Sequence, residues 1–403
     1  MKCISQRFRS IFNGHTFTVA VAVMAMASQS LAKSDDTCIG FDLLGSYNTQ
    51  GDASSVQYVN GIAYVADGAR GMQIIDVSDP SAPFRRSNFD IPGANGFTHA
   101  VEVVGTTAYI ADGSVGIHIV DVSNPSSPQL LSTFETISGA LDISVSGTTA
   151  YVANEFGGVR ILDVSDPFAP VFLGLYWTSS VNSVEVVGTT AYVVSSFSGL
   201  HIVDVSDPAA TVLLGQYATS VTQNTSIGIN IYGDTAYLAN AFRGVHLIDV
   251  ADPTSPTLLG FYDFPAGSFS TTIDGDVAYI TVYADGLHVV DISDPTTPTQ
   301  ISGYITPGSA PGASKVLDAA FSAGIVYMVD KEDGLQVLEV DLNSQICPCP
   351  PDLNDDGNLN FLDISAFLIA FGNEDPLVDF NGDGSWNFSD VSEFLSEFGA
   401  GCP

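Results

Sequence analysis

The sequence predicts a mainly β fold, a seven-bladed β-propeller closed by an N-terminal strand, followed by a small α domain that binds calcium. Three observations lead to this prediction. A unit of about 43 residues recurs seven times between residues 57 and 342. A stretch that elsewhere ends the unit also stands before the first copy. Two acidic twelve-residue segments follow the last copy.

Each unit carries a tyrosine in a run such as "AYVAD" and, further on, an acid in a run such as "GLHIVDVSDP". The tyrosines are Tyr64, Tyr109, Tyr151, Tyr192, Tyr237, Tyr279 and Tyr327. The acids are Asp76, Asp121, Asp163, Asp204, Asp249, Asp291 and, varied, Glu339. Successive acids are separated by 41 to 48 residues. Repeats of this size are typical of blades or solenoid turns.

Four strand-like runs occur in each unit. In the fourth unit they read "VNSVEVVG", "TAYVVSS", "LHIVDVS" and "TVLLGQY", and turn-forming Gly, Asp and Pro separate them. Four antiparallel strands in each of seven units predict a seven-bladed β-propeller. At "GLHIVDVSDP" (199–208) and "GVHLIDVADP" (244–253) the chain resembles the LVIVD-repeat family. That resemblance implies the propeller and no particular activity.

The stretch "LLGSY" (43–47) predicts how the ring closes. Near copies, "LLGQY" (213–217) and "LLGFY" (258–262), form the fourth strand of their units. The seventh unit stops after "GLQVLEVDL" (334–342) and has no fourth strand. We therefore expect residues 41–47 to complete the last blade, so that no open sheet edge remains at the seam.

Residues 1–32 are interpreted as a secretory signal peptide. Lys2, Arg7 and Arg9 precede the apolar run "TFTVAVAVMAMA", and "SLA" supplies small residues for cleavage after Ala32. We therefore predict a protein that is secreted or held at the cell surface, with no transmembrane segment. Its formal net charge of −34 disfavours nucleic acid and anionic lipid as partners.

Four cysteines follow the signal peptide, which fits an oxidising compartment. Three pairings of Cys38, Cys347, Cys349 and Cys402 are possible. One residue, a proline, separates Cys347 from Cys349, so these two point apart in an extended chain. We predict Cys38–Cys347, which would fasten the last blade, and Cys349–Cys402, which would bracket the remaining segment.

Segments 352–363 and 379–390 predict two calcium ions bound in twelve-residue loops. Carboxylate and amide oxygens recur at the spacing that calcium loops use, with Gly357 and Gly384 at the sharp turn. The predicted metal ligands of the first loop are Asp352, Asn354, Asp356, Asn358, Asn360 and Asp363. Those of the second are Asp379, Asn381, Asp383, Ser385, Asn387 and Asp390.

A helix is predicted after each loop, from "FLDISAFLIAFG" and "FSDVSEFLSEFG", whereas "CPCPP" disfavours one before the first loop. This duplicated loop–helix unit over 347–403 resembles a type I dockerin. The resemblance implies a module that docks onto a cohesin-like protein partner. Loop positions 10 and 11 are Phe361-Leu362 and Phe388-Ser389, not the Ser-Thr frequent in cellulosomal dockerins, and this disfavours a conventional cohesin.

Three further patterns in the propeller segment, 33–346, receive mainly structural interpretations. The "DVSDP" run recurs too often for any copy to be a single active site, and we expect its acids to accept backbone hydrogen bonds in turns. The four histidines at one repeat position are expected to form hydrogen bonds between blades: His118, His201, His246 and His288. Carboxylates on the innermost strands could instead act as a catalytic pair near the channel: Glu102, Asp142, Glu185 and Asp318.

The predicted function is therefore a secreted, non-catalytic binding propeller that is docked through a calcium-dependent module. A glycan or a protein is the expected ligand of the propeller face, and no catalytic residue is assigned. The alternative is an enzyme or accessory component of polysaccharide degradation, of the glycoside hydrolase or lyase type. A dockerin-like module indicates where its cargo is held and not what the cargo does.

Overall fold

A computed structural model describes 28 strands and two helices. The described residues are 40–91, 96–219, 226–241, 243–264, 267–283, 285–306, 315–341, 353, 361–372, 378, 380 and 385–400. The predicted signal peptide and all four predicted disulfide cysteines lie outside these ranges. No helix in the described ranges is long and apolar enough to cross a membrane.

The strands form seven sheets of four, which we number as blades along the chain. Blade 1 is β2 (Ser55–Val59), β3 (Ile62–Ala66), β4 (Met72–Asp76) and β5 (Phe84–Phe89); blade 2 is β6 (Thr98–Val104), β7 (Thr107–Asp112), β8 (Gly116–Asp121) and β9 (Gln129–Glu135). Blade 3 is β10 (Asp142–Ser146), β11 (Thr149–Asn154), β12 (Gly158–Asp163) and β13 (Val171–Tyr176); blade 4 is β14 (Val181–Val187), β15 (Thr190–Ser195), β16 (Gly199–Asp204) and β17 (Val212–Tyr217). Blade 5 is β18 (Ser226–Tyr232), β19 (Thr235–Asn240), β20 (Gly244–Asp249) and β21 (Thr257–Tyr262); blade 6 is β22 (Ser268–Asp274), β23 (Val277–Val282), β24 (Gly286–Asp291) and β25 (Thr299–Tyr304). Blade 7 is β26 (Val316–Ser322), β27 (Ile325–Asp330), β28 (Gly334–Asp341) and β1 (Gly40–Tyr47).

The first strand of each blade contacts the first strands of both neighbouring blades, and β26 contacts β2 so that the circle is complete. These seven strands therefore surround the channel, while the fourth strands form the outer edge. Within every sheet the strands pair antiparallel with their neighbours. The seven-bladed β-propeller predicted from the repeat is confirmed.

The closing strand is also confirmed. β1 pairs antiparallel with β28, with Leu43 opposite Leu338 and Tyr47 opposite Leu335. Just beyond this pairing, Asn48 Nδ2 donates to the Glu332 carbonyl over 284 positions of sequence. The last blade thus takes its outer strand from the beginning of the described chain, as "LLGSY" indicates.

The hydrophobic core of the ring lies between the blades. The second and third strands are almost entirely buried, because both of their faces pack against neighbouring sheets. Seven clusters of buried side chains each join two adjacent blades. In the cluster across the seam, Val65 and Ile75 of blade 1 pack with Val329 and Val337 of blade 7. Each blade is therefore stabilised by burial against its neighbours.

The glycine of the "LLG" motif marks a close approach between blades. A Cβ added to Gly45 would lie 2.6 Å from the Pro80 carbonyl oxygen in the "SDP" turn of the next blade. A Cβ added to Gly174, Gly215 or Gly260 would likewise lie too close to the equivalent proline carbonyl oxygen. In blades 1 and 2 serine replaces the glycine: Ser87 Oγ donates to Pro125 O and Ser132 Oγ to Pro167 O, both at 2.6 Å. The "LLG" and "DVSDP" motifs are thus two halves of one inter-blade contact.

The helices belong to a second compact unit, separate from the unit Cys38–Cys347 that contains the sheets. They are α1 (Phe361–Gly372) and α2 (Phe388–Ala400), as the sequence pattern predicts. Phe367 of α1 and Phe394 of α2 stack with ring centroids 4.1 Å apart, and both are buried. These two residues are separated by the same 27 positions as the two acidic segments, so they form equivalent parts of a duplicated core.

Candidate metal centre, channel and linker face

Asp363 and Asp390 are the predicted closing ligands of the two calcium loops, and both side chains are fully buried. They stand at equivalent places, in the first turn of α1 and of α2. Burial of an ionised carboxylate is costly unless a cation or several hydrogen bonds compensate it. The sequence contains no lysine, arginine or histidine after Lys331. No basic side chain of their own segment can therefore pair with these two carboxylates.

The start of α2 is held by a reciprocal cap. Asn387 Oδ1 accepts a hydrogen bond from the Ser389 N–H at 2.8 Å, and Asp390 Oδ2 accepts one from the Asn387 N–H at 2.8 Å. Asn387 Nδ2 also donates to the Ser385 carbonyl at 2.8 Å. This arrangement is of the capping-box type, in which the first residue before the helix and the third helical residue satisfy one another. It brings loop positions 7, 9 and 12 together.

The remaining eight predicted ligands lie outside the described residues: Asp352, Asn354, Asp356, Asn358, Asn360, Asp379, Asn381 and Asp383. Within the described ranges no group of three or more His, Cys, Asp and Glu side chains could hold a metal ion. The donor set is nonetheless all oxygen, which is the chemistry that calcium prefers. The residues fit calcium by donor type and by the burial of both closing carboxylates.

The channel carboxylates make hydrogen bonds to the next blade. Asp142 Oδ2 accepts from Ser183 Oγ at 2.6 Å and from the Val184 N–H at 3.0 Å. Glu185 Oε2 accepts from the Ile231 N–H at 2.9 Å, and Asp318 Oδ2 crosses the seam to the Val56 N–H at 2.9 Å. Gln57 and Ser144 make the same kind of contact, to Val103 N–H and Val186 N–H respectively. These side chains link the inner strands of blades 7, 1 and 2 and those of blades 3, 4 and 5.

Removal from water raises the pKa of all four channel carboxyl groups. Burial raises the pKa of Glu102 to about 8, and the negative charge of Asp142 adds to the effect. Burial likewise raises the pKa of Glu185 to about 8, against the hydrogen bond from Ile231. The pKa values of Asp142 and Asp318 are raised by burial too, although each accepts several hydrogen bonds. Protonation of these groups is therefore coupled to the packing of the inner strands.

Three of the four histidines form hydrogen bonds between blades, as predicted. The hydroxyl of Tyr176 in blade 3 lies 2.7 Å from His201 Nδ1 in blade 4. Tyr217 and His246 repeat this contact at 3.1 Å, and Tyr262 and His288 at 3.0 Å. Burial lowers the pKa of His201, and burial together with Arg243 lowers that of His246 to about 4. The imidazoles of His201 and His246 therefore act as neutral hydrogen-bonding groups at neutral pH.

For His118 the inter-blade prediction is wrong. Its Nδ1 lies 2.9 Å from Thr133 Oγ1 and its Nε2 lies 3.2 Å from Asp112 Oδ2, and both partners belong to its own blade. The reason is the residue at the tyrosine position of the preceding blade. Phe89 in blade 1 occupies the place of the tyrosines and has no hydroxyl. Burial acts to raise the pKa of Asp112, but hydrogen bonds from His118 and Ser114 outweigh it and hold the pKa at about 2.

The "DVSDP" acids have the predicted structural role. Asp204 Oδ1 accepts from the Ser206 N–H at 2.9 Å, and Asp207 Oδ1 accepts from the Ala209 N–H at 3.0 Å. The same bonds recur in the other blades that carry the motif. Hydrogen bonds from Ser206 lower the pKa of Asp204. These exposed turns fix the path from the third strand to the fourth.

One surface of the ring was not identified from the sequence. Loops between the second and third strands lie at the same end of the sheets as the linkers between blades, and we call this end the linker face. Phe156 and Phe197 occupy one position in successive loops of this face, and both are largely exposed. Phe242 stands at the same repeat position but lies outside the described residues. In the sequence, the only indication of this surface is the phenylalanine that recurs at one position of these loops.

Comparison with known proteins identifies the repeat. The LVIVD repeat profile matches residues 50–90, 95–136, 139–178, 179–219, 225–264 and 269–306, which together are more than half of the chain. No curated protein matches the chain significantly.

Two solved structures are similar to the ring. The computationally designed protein Ika8 is 10% identical, with a TM-score of 0.56 over 74% of this chain and 100% of its own. The β-propeller domain of Cps50 (Swd1) from Myceliophteria thermophila is 9% identical, with a TM-score of 0.61 over 75% of this chain and 100% of its own. At such identities the similarity concerns the fold alone.

Proposed function

The chain belongs to the LVIVD repeat family, and from this premise we propose that it is a secreted, non-catalytic binding propeller docked to a protein partner through a calcium-dependent, dockerin-like module. The observation that carries the proposal is the burial of Asp363 and Asp390 at equivalent helix starts. No basic side chain follows Lys331 in the sequence. Oxygen-rich loops around two buried carboxylates are the chemistry of a calcium module.

Calcium has a structural role in this proposal. Each ion is held by the six oxygen-bearing residues of its loop, which end in Asp363 and Asp390. It offsets the mutual repulsion of the loop carboxylates and fixes the start of the helix that follows. The extracellular setting, where calcium is abundant, follows from the interpretation of residues 1–32 as a signal peptide.

The helices supply an apolar surface suited to docking. Leu368 and Ile369 of α1 are about half exposed, at 51% and 52%, and Leu395 of α2 is exposed by 38%. Leu368 and Leu395 are separated by the 27-residue offset, so the duplicated module presents two equivalent sites. Such exposed apolar side chains are typical of interaction surfaces. Phe361-Leu362 and Phe388-Ser389 at the positions that select a cohesin favour a receptor of a different kind.

Calcium binding by the full secreted chain tests this proposal. We expect isothermal titration calorimetry to give two bound Ca²⁺ per chain, and chelation to remove helical circular dichroism while the strand signal persists. Asp390→Ala and Asp363→Ala should each abolish one site. Asp355→Asn is the matched control, because loop position 4 supplies no predicted ligand. Binding stoichiometry unchanged in both alanine variants would contradict the proposal.

A further inference from the structure

Four large apolar side chains stand exposed in a row on the linker face. The exposed fractions are 86% for Ile137, 66% for Phe156, 69% for Trp177 and 70% for Phe197. They belong to consecutive linkers and loops from the start of blade 3 to blade 4. Exposed apolar groups that lie together on a soluble protein mark an interaction site. We call these four side chains, three of which are aromatic, the aromatic row.

Hydrogen bonds join the segments that carry the first half of the row. Asn154 Nδ2 donates to the Gly139 carbonyl at 3.0 Å and also to the Ser138 carbonyl. The linker of Ile137 is thereby attached to the start of the loop of Phe156. A Cβ on Gly158, two residues after Phe156, would lie 3.1 Å from Trp177 Cα. Trp177 therefore stands directly beside that loop.

The second half of the row is joined in the same way. The linker that follows Trp177 is bound on one side to the loop of Phe156, through Val181 N–H and the Glu155 carbonyl at 2.8 Å. On its other side, Ser196 N–H donates to the Ser180 carbonyl at 2.9 Å and brings the loop of Phe197 alongside. The four segments that carry these side chains thus lie side by side on the linker face, and we call this stretch of surface the strip.

The polar groups within the strip are neutral or acidic. Segments 135–139, 154–158, 176–182 and 195–199 contain no lysine, arginine or histidine. They contain six serines and two threonines, with Glu135 and Glu155 as the acids. Together with the net charge of −34, this surface repels anionic polymers. The chemistry fits a ligand that is uncharged and rich in hydroxyl groups.

The three rings alone offer less area than a standard protein interface. An aromatic side chain buries about 150–250 Å², so three rings that are about two-thirds exposed offer roughly 300–500 Å². A standard protein interface needs about 800 Å² from each partner. A second copy of this chain would also bring the same net charge of −34. The area of the rings and the net charge therefore disfavour a second copy of this chain as the occupant.

We propose that the aromatic row binds a neutral polysaccharide, whose sugar rings lay their C–H faces on Phe156, Trp177 and Phe197 while their hydroxyl groups bond to the intervening serines. This inference rests on the proposed function only in that it names the ligand of the binding propeller. It is independent of the calcium module, so a failure to bind polysaccharide leaves the calorimetric calcium result standing.

Affinity electrophoresis of the full secreted chain tests the proposal. The gels contain xyloglucan, glucomannan, mixed-linkage β-glucan or arabinoxylan, with polygalacturonate as the anionic comparison. We expect retardation by at least one neutral polysaccharide and none by polygalacturonate. Trp177→Ala should lower the association constant about tenfold or more, because the apolar contact of one ring is lost. Phe197→Ala should lower it in the same direction.

Phe168→Ala is the matched control, since Phe168 is 68% exposed in blade 3 but lies in the turn at the opposite end of the sheets. Its affinity and the melting temperature of every variant should equal those of the wild type. Absence of retardation by all four neutral polysaccharides overturns the proposal, as does an equal affinity of Trp177→Ala and Phe168→Ala. Capture of a protein through these rings without polysaccharide binding overturns it in favour of a protein partner.

Discussion

The presence of one tyrosine hydroxyl group determines whether a histidine of this ring forms a hydrogen bond to the preceding blade. Tyr176, Tyr217 and Tyr262 each reach a histidine of the next blade. Tyr304 occupies the same position in blade 6, but the next blade presents Gln336, and both side chains hold a buried polar atom with no partner among the described residues. One repeat position therefore contains satisfied and unsatisfied versions of the same tyrosine.

This difference gives a prediction with an internal control. Tyr176→Phe should lower the free energy of unfolding by about 1–2 kcal/mol, because His201 Nδ1 loses a buried partner. Tyr304→Phe should leave stability unchanged or raise it, because it removes a hydroxyl that has no partner to lose. Urea denaturation of both variants measures the difference. Equal destabilisation of the two would show that ring packing, and not the hydrogen bond, holds the blades at this position.

At the scale of the element, β1 is the strand that makes the ring continuous. It pairs along its length with β28, and its Gly45 approaches the Pro80 carbonyl of blade 1 as the other "LLG" glycines approach their prolines. Phe41 and Tyr47 also contact the clusters on either side of blade 7. The strand is thus bound by backbone pairing and by packing against two neighbouring blades.

We expect deletion of residues 33–48 to lower the melting temperature of the propeller by more than about 10 °C, since backbone pairing and packing at the seam are both lost. The exposed edge of β28 should also make the product aggregate. Deletion of residues 33–37, which leaves β1 and Cys38 in place, is the control. Thermal denaturation and light scattering measure both effects. A 33–48 deletion that melts like the control would show that the other six blades close the ring unaided.

Elements whose partners are adjacent in the repeat were predictable from the sequence. The strand order, the closing strand and the helices after the acidic loops all follow from local patterns such as "LLGSY" and "FLDISAFLIAFG". Contacts that depend on a residue of a neighbouring blade were harder to predict from the sequence. His118 differs from His201 because of Phe89, which lies in another blade. The contacts that Gln57 and Ser144 make with the next blade depend on how the inner strands lie side by side in the fold.

The aromatic row was missed for a related reason. Phe156, Trp177 and Phe197 are separated by about 20 residues each, and nothing in their local sequence distinguishes an exposed ring from a core ring. Their exposure depends on where the linkers lie on the folded ring. The proposed calcium loops differ in this respect, because all the predicted ligands of one loop fall within twelve consecutive positions.

At the scale of the whole molecule, the four channel carboxyl groups couple the stability of the propeller to pH. The folded-state pKa of Glu185, about 8, lies far above that of an exposed glutamate. A raised pKa contributes stability that is fully present below the unfolded-state pKa and is lost as the pH rises through the folded-state value. Glu102 acts in the same direction, with a pKa of about 8. The propeller should therefore lose stability between about pH 5 and pH 8.

Glu185→Gln tests this dependence, since the amide oxygen can still accept from the Ile231 N–H and carries no charge. We expect the variant to be more stable than the wild type by roughly 1–2 kcal/mol at pH 8.5 and equal to it near pH 5. The figure allows for screening by solvent, because the Glu185 side chain is only partly buried. Exposed Glu135→Gln is the control, and melting temperatures across pH 5–9 give the comparison. Parallel pH profiles for the wild type and Glu185→Gln would contradict the assignment.

The seam also imposes an order on biosynthesis. β1 leaves the ribosome first among the strands, yet its partner β28 is made last of the 28. A growing chain can build blades 1 to 6 from neighbouring segments, but β1 has no partner until nearly the whole ring has been synthesised. Contacts over such sequence distances form slowly, because the ends must first be brought together. During that interval β1 and β28 are the segments most in need of protection from aggregation, and an incomplete chain is left with an open edge.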